Sequence, residues 1–530
     1  MKSFGKLLLQ LFLFIAFAGI AEAQSPDQQL IVRWERGDAA VKTSLHPAVQ
    51  RRWLAKPLHI ELLTYPDPAS CALAQKKLAS HRGVRALEFN QVVSFRADPN
   101  DASFNEQRDN FDRAGYRDAW DLTAGGSTIE NQDIVIAILD AGFDITHEDI
   151  QPNLWINPHD VPNDGVDNDN NGYVDDRHGW DMTGDDPNLP SDNHGTQVIG
   201  LLGAKGNNGI GVTGTNWDTK MMLFTIRTTA HIIEAYEYIR EQRRRYNESN
   251  GAEGALVVAT NASFGIEGGT CINYAVWGGL YDELGQVGIL TAASTANRSW
   301  DVDDFGDMPT DCPSDYLIGV ANLGENDALW RSSGFGRESV DLGAPGEMSF
   351  STIPADRYGS FGSTSAAAPY VTGAIALMYA TPCPALLDKM KTDPAGAALL
   401  VRDVILGSTR ESSSLQFRTS TGGVIDVAEA QRALSLICDG TDLQDFTISS
   451  VSPNPAADFA VLETNAIVFS SGARVDLFDV MGRHVSSRIA ERIGFNPIKV
   501  RVDLVGIPAG VYVVRLSERD RVAEAKLVVR

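Results

Sequence analysis

Residues 133–144 read "DIVIAILDAGFD": six consecutive apolar residues that end directly on the carboxylate of Asp140. An apolar run of this length between polar residues predicts a strand buried on both faces, as in a parallel sheet covered by helices. "VGILTAAS" (287–294) repeats the pattern, while "HGTQVIGLLGA" (194–204) and "SAAAPYVTGAIALMYA" (365–380) carry helix patterns. The alternation predicts an α/β fold with a doubly wound parallel sheet. In such sheets chemistry collects at the carboxyl ends of strands, which makes Asp140 the first candidate. A carboxylate there is also an ordinary loop acceptor, so its meaning depends on its partners.

Two further residues supply them. His194 in "SDNHGTQVIG" (191–200) and Ser365 in "FGSTSAAAPYVTGAIAL" (361–377) both stand at predicted helix starts, where free N–H groups favour developing negative charge. The small residues around Ser363, Thr364 and Ser365 suit close helix packing, and equally a hydroxyl that a substrate must approach. A serine nucleophile needs a neutral imidazole to take its proton and a carboxylate to orient that imidazole. The chain order Asp, His, Ser is one of the orders in which this triad occurs.

The three blocks "AILDAGFDITHEDI", "NHGTQVIG" and "GSTSAAAPYVTGA" resemble the signature blocks of the subtilases, the subtilisin-like serine peptidases, across about residues 111–438. The resemblance implies Asp140 as orienter, His194 as general base and acid, and Ser365 as nucleophile, with polypeptide substrates and no catalytic metal. It also implies an oxyanion donor, for which Asn297 in "GILTAASTANRSW" (288–300) sits at the matching offset, beside the Ser365 backbone N–H. Asn261 in "ATNASFG" (259–265) competes for that role. It reads as structural, because Ser263, Phe264 and Gly265 resemble the family's substrate-pairing strand, which binds an extended peptide by β-augmentation. Three positions depart from the family pattern: Ser363 and Ala296 stand where Gly is usual, and Tyr370 where His is frequent. These departures keep an alternative open, a catalytically impaired adhesin or binding protein on the same scaffold.

The chain has 530 residues and a net charge of −24, unevenly placed. Residues 1–23 combine Lys2 and Lys6, an apolar run and an A-x-A site, which predicts a signal peptide. The run is short for a bilayer span. Residues 24–100 read as a small α+β unit with 11 basic and 7 acidic residues. This unit resembles the inhibitory propeptide of subtilases, making the chain's own propeptide a partner. Residues 98–110, "DPNDASFNEQRDN", read as an exposed linker to a peptidase domain over 105–440. Residues 101–448 hold 52 acidic against 21 basic residues, which speaks against a nucleic-acid partner. Residues 448–530 alternate in strand pattern between Pro, Asn and Gly turns and predict an all-β sandwich. Its blocks "SPNPAADF", "VDLFDVMGR", "IPAGVYVVRL" and "KLVVR" resemble the C-terminal sorting domain of type IX secretion. That implies export across both membranes by the type IX machinery, to a secreted or surface-attached monomer. Five cysteines in an exported chain permit two disulfides. Cys271 with Cys312 and Cys383 with Cys438 are the regional pairs, though spacing does not establish connectivity, and Cys71 is the odd one.

Structural calcium is the expected cofactor. In "NDGVDNDNNGYVDDRHGWD" (163–181), Asp167, Asp169, Asn171, Tyr173 and Asp175 follow the first positions of a Ca²⁺ loop around Gly172, with Asp176 or Asp181 to complete the shell. His178 stands where the bidentate Glu belongs, so this is not a full EF-hand. A second site is suggested by "NNGIGV" (207–212), which resembles the family's calcium loop with Asn208, Ile210 and Val212, plus Asp149.

Overall fold

The structure is a computed structural model that describes residues 28–35, 50–79, 81–90, 98–438, 446–464, 473–495, 498–518 and 521–530. The expected signal peptide, 1–23, lies outside them. The chain divides into two compact units, residues 1–95 and 96–530.

In the first unit, β1 (Gln29–Trp34), β2 (Gln50–Ala55), β3 (Ile60–Thr64) and β4 (Val84–Phe89) form an antiparallel sheet in the order β2-β3-β1-β4. Helix α1 (Pro68–Ala79) covers one face through Cys71, Ala74 and Leu78, packed on Leu30, Val32 and Leu63. Glu61 is buried because Trp34 Nε1 and Arg51 both donate to it, at 3.0 and 2.8 Å.

The second unit is built on a nine-stranded sheet. Its strands are β5 (Val135–Asp140), β6 (Gly179–Asp181), β7 (Lys220–Thr225), β8 (Val257–Ala262), β9 (Leu290–Ser294), β10 (Leu317–Asn322) and β11 (Leu342–Ala344). A hairpin, β12 (Ser349–Ile353) and β13 (Arg357–Phe361), stands apart, and β14 (Arg410–Glu411) and β15 (Gly423–Val424) close the sheet. The order is β6-β7-β5-β8-β9-β10-β11-β15-β14, with every pairing parallel except the last. After β5 the chain moves to one side of the sheet, and after β8 to the other. The switch point therefore lies between β5 and β8, where Leu139 pairs with Ala262.

The opening apolar run explains this placement. Ile134, Ile136 and Ile138 face one core with helices α3 (Asn193–Gly203) and α5 (Thr364–Ala380). Val135, Ala137 and Leu139 face the other, against α4 (Thr229–Ser249). Each buried Ile, Val or Leu among them contributes about 1.5–3 kcal/mol, so both faces demand cover. All 17 residues of α5 are buried, and its small residues permit the close approach: a Cβ on Gly373 would run into the Thr215 side chain.

The stretch 98–110 is not an exposed linker. Residues Phe104–Arg113 form helix α2, with Phe104, Gln107, Asn110 and Phe111 buried. Its polar residues are accommodated by distant backbone. Gln107 donates to the Thr213 and Phe350 carbonyls and accepts from Thr213 N–H, while Asn110 donates to the Glu347 carbonyl and Ser349 Oγ.

The end of the unit is a β-sandwich. β16 (Ile448–Ser452), β17 (Phe459–Thr464), β20 (Glu491–Phe495) and β21 (Ile498–Asp503) form one sheet, in the order β16-β17-β21-β20. The second contains β18 (Arg474–Asp479), β19 (His484–Ile489), β22 (Gly510–Glu518) and β23 (Arg521–Val529), in the order β19-β18-β22-β23. Leu462 and Val500 of one sheet share a core with Leu477, Val514 and Leu527 of the other. Disulfides join Cys271 to Cys312 and Cys383 to Cys438, and Cys71 is buried in the first unit.

Candidate active site

Asp140 ends β5 at the switch point, buried to 4% exposure, and its carboxylate accepts the Ala141 N–H at 2.7 Å. His194 begins α3, where Asp192 caps the helix by accepting the His194 N–H at 2.7 Å. The helix comes close because residue 195 is glycine: a Cβ there would run into the Gly142 carbonyl. His194 Nδ1 thereby lies 2.8 and 3.0 Å from the two Asp140 oxygens. Burial favours the neutral ring, but the hydrogen bond and charge of Asp140, with Asp192 nearby, outweigh it and hold His194 above the usual imidazole value. The imidazole edge also meets the Phe361 ring, 5.8 Å between centroids.

Ser365 stands in the first turn of α5, and its Oγ lies 3.4 Å from the Ser263 carbonyl, to which it donates. Among the described residues it makes no hydrogen bond to His194. The contact to Ser263 is at the long limit for O–H donation, so the hydroxyl is weakly held. Ser263 Oγ in turn donates to the Ser365 carbonyl at 2.9 Å, which fixes the helix start to the end of β8. Ser263–Gly265 runs on from β8 outside any strand ladder, while Phe264 stacks on Trp277.

Asn297 follows β9 and accepts from Thr364 through its Oδ1, from the backbone N–H at 3.2 Å and the hydroxyl at 2.9 Å. Its Nδ2 has no hydrogen-bond partner among the described residues. Asn261 is different: its Nδ2 donates to Ser263 Oγ and its Oδ1 accepts from Thr372, both at 2.9 Å, and the residue is fully buried. Both ends of its amide are committed to the core.

The departures separate in kind. Tyr370 is a core residue whose carbonyl accepts from Tyr116 Oη at 2.5 Å and whose ring meets Phe111. Ala296 needs no positive φ. Ser363 has φ 77° and ψ 179°, a region glycine alone occupies without strain. Glu347, which no sequence pattern singled out, holds it there: Oε1 accepts the Ser363 N–H at 3.1 Å and the Asn322 Nδ2 at 2.8 Å. The Ser363 side chain caps nothing. Ser363→Gly is therefore expected to raise stability by about 1–2 kcal/mol: relief of about 1–3 kcal/mol of strain, less the entropy glycine adds to the unfolded chain. Denaturant melts of the two proteins check this, and an unchanged or lower midpoint would contradict the strain.

The acidic insertion brings some predicted ligands together and turns others away. Asp169 and Asp176 approach each other across Asn157, which donates to both at 3.2 and 2.6 Å, and Asn171 Nδ2 also reaches both. Asp176 is fully buried, and burial with the Asp169 charge pushes its carboxyl up to about 6. Asp167 is committed to the Asn171 and Gly172 N–H groups, and Asp175 to those of Asp164 and Gly165. Asn171 Oδ1 accepts from the Tyr173 N–H, and the Tyr173 ring packs on Trp180 and Tyr238. In the second loop, Asp149 accepts from Asn208 Nδ2 and the Val212 N–H, both at 2.9 Å, while the Ile210 N–H donates to Asn208 Oδ1. Asp101 braces this loop by accepting the Asn207 and Asn208 N–H groups. Among the described residues no group of three or more His, Cys, Asp or Glu side chains is arranged as a metal site.

Residues 450–530 match the secretion system C-terminal sorting domain, which marks the protein for export and for secretion or attachment at the cell surface. Among curated relatives, subtilisin-like protease 1 of Plasmodium berghei is 27% identical over 323 residues, 56% of this chain and 49% of that protein. An extracellular protease of Xanthomonas campestris is 26% identical over 405 residues, 68% of this chain and 66% of that protein. The chain spans 37–49% of the length of the first curated relatives it matches. A solved protease of Pseudoalteromonas arctica is similar at 22% identity, covering 64% of this chain and all of its own, with a TM-score of 0.45. The subtilase family model matches residues 131–424, more than half of the chain and the whole stretch from before Asp140 to the last parallel strand; the chain belongs to the subtilase family of serine peptidases.

Proposed function

We propose that the chain is a secreted serine endopeptidase that hydrolyses peptide bonds through an acyl-enzyme on Ser365. The observation that supports this is the Asp140–His194 pair at the switch point, with Ser365 Oγ on the carbonyl of Ser263, just past the adjacent β8, and Asn297 bonded to Thr364, next to Ser365. An extended peptide pairs with Ser263, Phe264 and Gly265. The Ser365 hydroxyl rotates from the Ser263 carbonyl to His194 Nε2, loses its proton there and attacks the scissile carbonyl. Asn297 Nδ2 and the Ser365 N–H stabilise the oxyanion. The imidazolium, held by Asp140, returns the proton to the leaving amine, and water repeats the sequence to release the acid.

The organisation proposed is a signal peptide (1–23), an inhibitory propeptide (24–100), the peptidase (105–440) and the sorting domain (448–530), recognised by the type IX machinery. Calcium is proposed at both loops. The donors are oxygens only, as a hard cation requires: Asp167, Asp169, Asn171, the Tyr173 carbonyl and Asp175, with Asp176 or Asp181 to complete the shell, in one, and Asp149 with Asn208 and the Ile210 and Val212 carbonyls in the other. Bound there, the ion neutralises carboxylates that burial and mutual repulsion now penalise.

A fluorophosphonate probe tests the reading. Propeptide-free protein is expected to be labelled, Ser365→Ala is not, and EGTA is expected to abolish labelling together with the fold's thermal resistance. A folded, calcium-loaded protein that takes no label would favour the binding-protein alternative, for which the strained Ser363 is the motivating observation.

A further inference from the structure

The end of β8 and the end of β9 leave the sheet side by side, Ala262 paired with Ala293. Beyond them, Gly265 and Ala296 both lie beside Asp307. Asp307 and Met308 pair antiparallel with Glu267 and Ile266. Asp307 is 2% exposed and its carboxylate is turned inward. Oδ2 accepts the Thr310 hydroxyl at 2.8 Å, and Oδ1 would lie 3.7 Å from a Cβ placed on Gly265. The Ala296 N–H, directly before Asn297, faces the same carboxylate.

A peptide strand laid on Ser263–Gly265, with its scissile carbonyl at Ser365 and Asn297, would bring one side chain to the side of Gly265 on which Asp307 lies. It is the residue that supplies the acyl group, because side chains of a strand stand perpendicular to the sheet and alternate. We propose that Asp307 determines specificity by selecting substrates with Lys or Arg at that residue. This rests on the peptidase reading above.

The charges around Asp307 agree. Glu267 lies opposite it in the ladder and Asp311 follows it, so both add negative potential. The nearby cation, Arg298, is engaged with Glu267 and lies over the Trp300 ring. Among the described residues no Lys or Arg pairs with Asp307. Burial, first, and then the neighbouring carboxylates push its carboxyl up to about 7, and the described residues offer it no paired counter-ion. A substrate ammonium or guanidinium supplies it, and a neutral side chain leaves the charge uncompensated.

The experiment measures kcat/KM on peptides identical except for Arg, Lys, Gln or Leu at the residue before the scissile bond, for wild type and Asp307→Asn. Fluorophosphonate labelling of both is read in parallel. Wild type is expected to prefer Arg and Lys by about 10²-fold or more, and Asp307→Asn to lose most of that preference while still being labelled. The Arg-to-Gln ratio is expected to grow as pH rises through 7, and His194 cancels from that ratio because it serves both peptides. Mapping the cut sites of wild type on a denatured protein gives a readout independent of the variant's folding. Labelled wild type that cuts after Leu as readily as after Arg, or a variant with unchanged preference, would overturn the proposal. Absence of labelling would instead remove the peptidase reading and this inference with it.

Discussion

Asparagine in place of Asp140 is expected to lower kcat about 10⁴-fold while leaving KM and folding nearly unchanged. The amide is isosteric with the carboxylate and can still meet His194 Nδ1 and the Ala141 N–H. What changes is the proton on the ring. The carboxylate requires Nδ1 to carry hydrogen, which leaves Nε2 free to accept from Ser365, and it stabilises the imidazolium formed on transfer. An amide offers its N–H group to Nδ1 as readily as its oxygen, and in that arrangement Nε2 holds the proton and cannot act as base. The pH profile supplies a second readout. Asp140 raises His194 against the opposing effect of burial, and the neutral ring is the active one. Wild-type kcat/KM therefore rises with pH through a value above the usual imidazole range, and the variant's residual activity rises at lower pH. An unshifted limb, or a loss below tenfold, would show that Asp140 is not the orienting group.

The second large effect is expected at Asn297. Asn297→Ala removes the unpartnered Nδ2 and is expected to cost about 10²–10³ in kcat, with little change in KM, the loss typical of an oxyanion donor. It also removes the acceptor that holds Thr364. Asn297→Asp separates these roles, because the carboxylate still accepts from Thr364 but no longer donates, and its charge opposes the oxyanion. If the donor is what matters, the aspartate variant melts like wild type and is at least as slow as the alanine variant. If Asn297 merely braces the helix, aspartate restores activity. Asn261, whose amide is already spent on Ser263 and Thr372, gives no comparable catalytic signature: its loss appears as lowered stability.

How much of this was legible in the sequence follows from the range of the interactions. The strand ending at Asp140 and the helices beginning near His194 and Ser365 were readable because their apolar patterns are local. Asp192 was readable in principle too, since an acidic residue just before a helix is a common cap. Helix α2 was not: the burial of Gln107 and Asn110 depends on backbone groups more than 100 residues away, and locally they look like solvent-exposed residues. Glu347 and Asp307 escaped for the same reason. The first matters because of the dihedral angles of Ser363, the second because the fold brings residues 265, 296 and 307 together, and neither condition has a sequence period.

The depth at which α5 is set has a consequence in time. The sheet around it recruits strands from Val135 to Val424, and the nucleophile's helix packs on strands remote from it in the chain. Pairings so distant form slowly. On the proposed reading, a nascent chain that has emerged only as far as His194 would hold the orienting acid and the base but not yet Ser365, Asn297 or Asp307. The proposed proteolytic capacity would thus be withheld until nearly the whole catalytic unit has been synthesised and has condensed. An exported hydrolase gains from that delay, because the compartment that makes it is full of digestible protein.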